Sequence, residues 1–197
     1  DRDPQLDRNP YHLTLLVADA TGYANLLKIA SAAQLEGFYY RPRVDKEFLA
    51  RHSEGLIALS GCTTGEMAVL CAEGRHEEAL RVARWYREVF GDRFCIELQH
   101  HEGIPELVSI NRRLLDIGRT LGVRPVATND VHYVRPEDAR VQDVLLCIQT
   151  GATVRQQDRL RMSDDTYFLR SPAEMAALFQ DIPEAIANTL RVAELCN

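Results

Sequence analysis

The stretch VATNDVHYV, residues 126–134, places Asp130 and His132 two positions apart at the end of an apolar run. In an extended backbone, residues i and i+2 project to one side. The spacing therefore predicts a carboxylate and an imidazole side by side. Burying such a pair alone is costly, and a divalent cation is one partner that satisfies both. Two further apolar runs end in similar chemistry: GLIALSGC (55–62) closes on Cys62, and RFCIELQ (93–99) runs into His100, His101 and Glu102. Thiolate, imidazole and carboxylate are the usual ligands of zinc and its borderline neighbours. Plainer readings stand beside this one: Cys62 as a packed side chain, His100 and His101 as an exposed loop pair, and Asp130 as a cap for the helix near Pro136. Convergence of three run ends puts the metal on even terms with these readings. A thiol nucleophile at SGCTTGE is the weaker alternative, since the pattern shows no base oriented toward Cys62. The chain has no dinucleotide fingerprint, no phosphate-binding loop and no nucleophile elbow.

These residues need a scaffold, and the hydropathy pattern supplies one. Strands are predicted at 12–18, 55–62, 93–99 and 124–130. Helices are predicted after each of the first three. Residues 19–37 carry Leu26, Leu27, Ala30 and Ala33 inward, 45–53 form a short helix capped by Asp45, 76–91 carry Leu80, Ala83, Trp85 and Val89, and 104–122 form a second strong helix. Alternation of this kind implies βα units and a mainly parallel sheet, with chemistry gathered at the C-terminal strand ends. After Pro136 the rhythm breaks into helical patterns at 136–151, 171–180 and 182–195, the second opening on a Ser171-Pro172-x-Glu174 capping box. The expected organisation is a lead-in loop at 1–10, βα units over 11–135, and a helical cover over 136–197 leading toward a neighbouring domain.

The composition, 46% apolar, suits a packed core, and no apolar run is long enough to span a bilayer. With 29 acidic against 23 basic residues the module carries no overall electrostatic footprint for nucleic acid. Five cysteines without a CxxC pair point to a reducing, cytoplasmic setting, with Cys71, Cys95 and Cys147 as core residues. The opening at Asp1 without Met, and the stop just after a helical pattern, lead us to expect a piece of a longer chain.

The stretches YHLTLLVADATGYANLLKIAS (11–31), GFYYRPRVDKEFLARHSEGLIALSGC (37–62), VRPVATNDVHYV (123–134), DVLLCIQTG (143–151) and IPEAIANTLRVAELCN (182–197) resemble the PHP (polymerase and histidinol phosphatase) domain of bacterial DNA polymerase III alpha subunits. That resemblance implies an α/β fold: a partial, distorted (β/α)7 barrel, its C-terminal two-thirds, with a helical extension. It implies a multi-metal site to which His12, Cys62, Asp130 and His132 contribute, the other ligands preceding Asp1. Zinc or manganese would suit these donors, with magnesium for the polymerase reaction of the parent. The parent would be a DNA-directed DNA polymerase (a nucleotidyltransferase), and the domain a metal-dependent 3′–5′ proofreading exonuclease. A purely structural domain and a free-standing PHP phosphoesterase are the alternatives. Implied partners are the remainder of the subunit, primer-template DNA and a sliding clamp, with no membrane. The segment alone is expected to be inactive, and to self-associate through exposed sheet edges. His101 and Glu66 match no ligand of the family and are expected to be surface or supporting residues. CTTGE departs from the family's more usual CLSGE-like continuation. His12 precedes its strand instead of following it, so either that strand runs opposite to the others or the strand-end rule fails there.

Overall fold

The computed structural model describes residues 9–196, so nearly all of the expected lead-in loop, 1–10, lies outside the described residues. Among the described residues, four strands form one open sheet in the order β1 (Thr14–Val17), β2 (Leu56–Leu59), β3 (Phe94–Leu98) and β4 (Arg124–Ala127). β2, β3 and β4 are parallel, whereas β1 runs antiparallel to β2, with Thr14 opposite Leu59 and Val17 opposite Leu56. The α/β expectation therefore holds as a partial barrel that does not close. Eight helices accompany the sheet among the described residues: α1 (Ala20–Leu35), α2 (Lys46–Arg51), α3 (Glu66–Ala72), α4 (His76–Phe90), α5 (Leu107–Leu121), α6 (Ala139–Thr150), α7 (Pro172–Leu178) and α8 (Pro183–Glu194).

Alternation along the strands divides the sheet into two faces. Leu56, Ala58, Phe94, Ile96 and Leu98 join Met67, Ala83, Phe90, Leu114 and Ile117 of α3, α4 and α5 in the main core. The other face carries Ile57, Leu59, Cys95 and Val126, covered in part by Val192 of α8. α8 also runs along β4, where the Asn188 amide donates to the Pro125 carbonyl over 2.8 Å. Each fully buried aliphatic side chain here contributes about 1.5–3 kcal/mol, so the parallel strands are fixed by what packs on both sides of them.

Two helical details differ from expectation. The inward stripe of α1 is Gly22, Asn25 and Ile29, while Leu27 and Ala30 face solvent. The cause is close docking against the turn before β2, where Asn25 donates to the Glu54 carbonyl over 2.9 Å. α3 was not foreseen: it is seven residues long, and its N-cap is Gly65, which offers no side-chain cap. It is tied to α2 by a 2.8 Å ion pair between Lys46 and Glu66, which gives Glu66 a structural role. α6 leaves Val141, Val144, Leu145 and Ile148 exposed along one stripe.

At Gly22 a Cβ would lie 1.8 Å from the Gly55 carbonyl oxygen, a backbone atom that cannot swing aside. Helix propensity alone would make Gly22→Ala stabilising by about 1 kcal/mol. Overpacking of about 1–3 kcal/mol or more opposes it and wins. Urea denaturation should show Gly22→Ala to be destabilised, and a more stable variant would contradict the docking of α1.

Candidate metal centre at the strand ends

The reversal of β1 decides which residues meet. Because β1 enters where β2 leaves, His12 lies across from Gly61 and Cys62 instead of at the opposite end of the sheet. The His12 amide donates to the Thr64 carbonyl over 3.1 Å. Its Nδ1 sits 3.2 Å from Cys62 Sγ, which is also 3.2 Å from Thr64 Oγ1. Gly61 makes this approach feasible, since it holds φ at +85° and a Cβ there would fall 2.5 Å from the His12 carbonyl oxygen. The hydrogen bond to Cys62 raises the His12 pKa. Burial opposes the rise, and the charges of Cys62, Glu97 and Asp130 add to it. Burial pulls the Cys62 thiol upward, but hydrogen bonds with His12 and Thr64 outweigh it and leave its pKa lowered. The pair is thus biased toward thiolate and imidazolium, and a thiolate is the form that ligates a metal.

Asp130 and His132 do not sit on a strand. β4 ends at Ala127, and Asp130 adopts φ of +46°, so the side-by-side placement expected from an extended backbone does not hold. A left-handed non-glycine residue is uncommon and clusters at functional sites. The turn brings His132 Nδ1 to 2.5 Å from the carbonyl oxygen of Asp130. As Nδ1–H donates there, the lone pair falls on Nε2, the tautomer that a metal ligand needs. The Asp130 carboxylate adds to the rise at His12, whereas burial lowers the His101 pKa against the opposing pull of Asp164 and Asp130. His12 and His132 are exposed, and Cys62 and Asp130 half-buried, so the edge is open to a ligand.

Sequence reasoning missed Glu97. It is 7% exposed on β3, on the same face as Thr14 and Thr128. Its Oε1 accepts from Thr128 Oγ1 over 2.6 Å and from Gln99 Nε2 over 3.2 Å, and its Oε2 accepts from Thr14 Oγ1 over 3.3 Å. No lysine, arginine or histidine forms an ion pair with it among the described residues. An acid inside the otherwise apolar FCIEL strand was the available signal. His101 also departs from the exposed-pair reading. It is 4% exposed, its Nδ1 lies 3.0 Å from Thr166 Oγ1, its ring stacks on Tyr167, and its Nε2 is buried without a partner. His100 is half-buried.

Among the described residues, no three His, Cys, Asp or Glu side chains are grouped to hold an ion. His12–Cys62 and the Asp130–His132 turn are two separate pairs at the same end of the sheet. The donor types fit a borderline divalent cation, and buried Glu97 without an ion-pair partner fits a nearby positive charge. A cavity of about 320 Å3 lined by Ile96, Leu115 and Pro125 lies toward the start of β4, away from these groups.

Burial pushes the Cys71 and Cys95 thiols up to about 11, so they stay protonated at neutral pH. Iodoacetamide labelling followed by peptide mapping should give Cys62 an alkylation midpoint below the ordinary thiol value. His12→Ala should move that midpoint upward. An unmoved midpoint would contradict the pairing.

Residues 2–101 match the PHP domain family. The chain is 45% identical to the DNA polymerase III subunit alpha of Borreliella burgdorferi over 196 residues, covering 100% of this chain and 17% of that one. Identity is 45% over 193 residues to the corresponding protein of Treponema pallidum, covering 98% and 16%, and 43% over 199 residues to that of Thermus aquaticus, covering 100% and 16%. The chain thus spans about one sixth of the length of the curated relatives it matches.

Proposed function

The chain belongs to the PHP domain family, and from that premise we propose that it is part of the alpha subunit of a bacterial replicative DNA polymerase, where it contributes to a multi-metal phosphodiesterase centre. One observation carries the metal reading. The His12–Cys62 pair and the Asp130–His132 turn lie at the same end of the sheet, where the Glu97 carboxylate is buried with no ion-pair partner among the described residues. Zinc or manganese suits the thiolate and imidazole donors, and the parent's nucleotide addition would use magnesium. When bound, such ions supply Lewis-acid stabilisation of phosphoryl charge.

The chain's own residues hold and balance that charge. Cys62 offers a thiolate held by His12 and Thr64, and His132 offers Nε2 with its other nitrogen tied to the backbone. Asp130 and Glu97 add negative charge, which by itself would repel a phosphate. A proofreading 3′–5′ exonuclease therefore needs the full ion complement, and the segment alone should be silent. Primer-template DNA, a sliding clamp and the remainder of the subunit are partners of the parent in this reading, in the cytoplasm. No described helix is long and apolar enough to cross a membrane.

A second reading, a supporting domain without turnover, is favoured by one feature: His12 and Cys62 satisfy each other directly at 3.2 Å. The two readings separate on the full-length subunit assayed for 3′-end degradation. Asp130→Ala should lower that rate by at least about 10-fold, the lower bound for residues one shell further out, with nucleotide addition retained. Equal rates in the two proteins would leave only the supporting role.

The position of β1 at the edge of the sheet among the described residues and the exposed stripe on α6 also support self-association of the isolated segment. Light scattering should show mass rising with concentration, and a monomer throughout would contradict this.

A further inference from the structure

The segment 163–170 crosses the loops that follow β3 and β4 and is bonded to both. Toward the β3 loop, Asp164 Oδ2 accepts from the Gly103 amide over 2.6 Å, and Thr166 Oγ1 meets His101 Nδ1 at 3.0 Å. A Cβ at Gly103 would lie 2.5 Å from the Ser163 carbonyl oxygen, so the two backbones are in close contact there. Toward the β4 loop, Asn129 Nδ2 donates to the carbonyls of Thr166 and Phe168 over 3.0 and 2.7 Å. The His132 amide donates to the Tyr167 carbonyl over 2.9 Å, and the Leu169 amide to Tyr133 over 3.0 Å. Tyr167 stands between the two loops. Its ring stacks on His101 at 4.0 Å and 14° and meets His132 edge-on at 5.6 Å and 87°. Its hydroxyl lies 2.6 Å from Ser163 Oγ, and the residue is buried.

We propose that residues 163–170 form the strap that positions the Asp130–His132 turn for a divalent cation, with Tyr167 as its positioning residue. The role rests on the metal reading above. It follows from the conformation of the turn. Asp130 sits in a left-handed geometry that costs free energy and persists only where surroundings over-determine it. The flanking residues Asn129 and His132 are the ones the strap holds, Asn129 by its side chain and His132 by its amide and ring. Tyr167 acts through the His132 ring that it meets edge-on. It limits the rotation of the His132 ring and keeps Nε2 turned outward, while the carbonyl of Asp130 holds Nδ1. The stacked His101 backs the tyrosine from its other side and is itself anchored through Thr166.

The test uses the 197-residue chain with cobalt(II) as the probe ion, comparing wild type, Tyr167→Phe, Tyr167→Leu and a stability control, Ile117→Val, in the core away from the site. Cobalt affinity by chelator competition and hydrogen exchange at the His132 amide are read together. Tyr167→Phe keeps the ring and should stay near wild type. Tyr167→Leu should bind cobalt about 10–100-fold more weakly, the usual effect of a lost outer-shell partner, and expose the His132 amide severalfold more. Wild-type values in Tyr167→Leu would overturn the proposal, as would an equal loss in Ile117→Val. Should Tyr167→Leu fail to fold, Thr166→Val removes the hydroxyl between Asp164 and His101 and is read the same way. If wild type takes up no cobalt, a site built from this chain's residues alone falls. The exchange arm then still decides whether the strap holds the turn, with unchanged protection in the variants counting against it.

Discussion

The antiparallel pairing of β1 with β2 is the constraint on which the site depends. Four residues of strand rise about 13 Å, so a parallel β1 would leave His12 at least that far from Cys62. Reversal places them 3.2 Å apart. The price in topology is small: α1 and α2 carry the chain from the end of β1 back to the start of β2, and Gly22 lets α1 lie against that turn. Gly61 then completes the approach at the opposite end. A packing rule for the sheet thus becomes a proximity rule for the side chains.

Electrostatics make the strand ends a unit. Glu97 lies behind the edge, Asp130 in the turn, and both act on His12, which is itself bonded to Cys62. Two carboxylates near a polarised thiol oppose one another unless positive charge is present, and His12 supplies only part of it. Hydroxyl and amide donors from Thr14, Thr128 and Gln99 soften the burial of Glu97 without neutralising it. In the proposed reading, a bound cation would supply the positive charge that these carboxylates lack.

Much of this architecture was legible from hydropathy. The βα alternation, the three parallel strands and the buried Cys71, Cys95 and Cys147 follow from local patterns, and the structure shows each of them. The direction of β1 was left open, because an apolar run carries no sign of its polarity. The inward stripe of α1 was misplaced, because contact with Gly55 admits Gly22 and Asn25 where periodicity selects leucines. Asp130 was put on a strand because a left-handed turn at an aspartate leaves no trace in hydropathy. His101 looked exposed because what buries it, Thr166 and Tyr167, arrives from more than sixty residues later. Local signals describe elements well, and they are silent on contacts made by distant segments.

The central claim is that the two pairs at this end of the sheet belong to one cation-binding site. The most direct measurement is metal content by mass spectrometry after chelator stripping and reloading with zinc or manganese, for the wild-type chain beside the Asp130→Ala/His132→Ala variant. A bound ion in the wild type that is lost in the variant is the predicted result. An equal ion content in both proteins, or none in either, would contradict a cation site built on this turn.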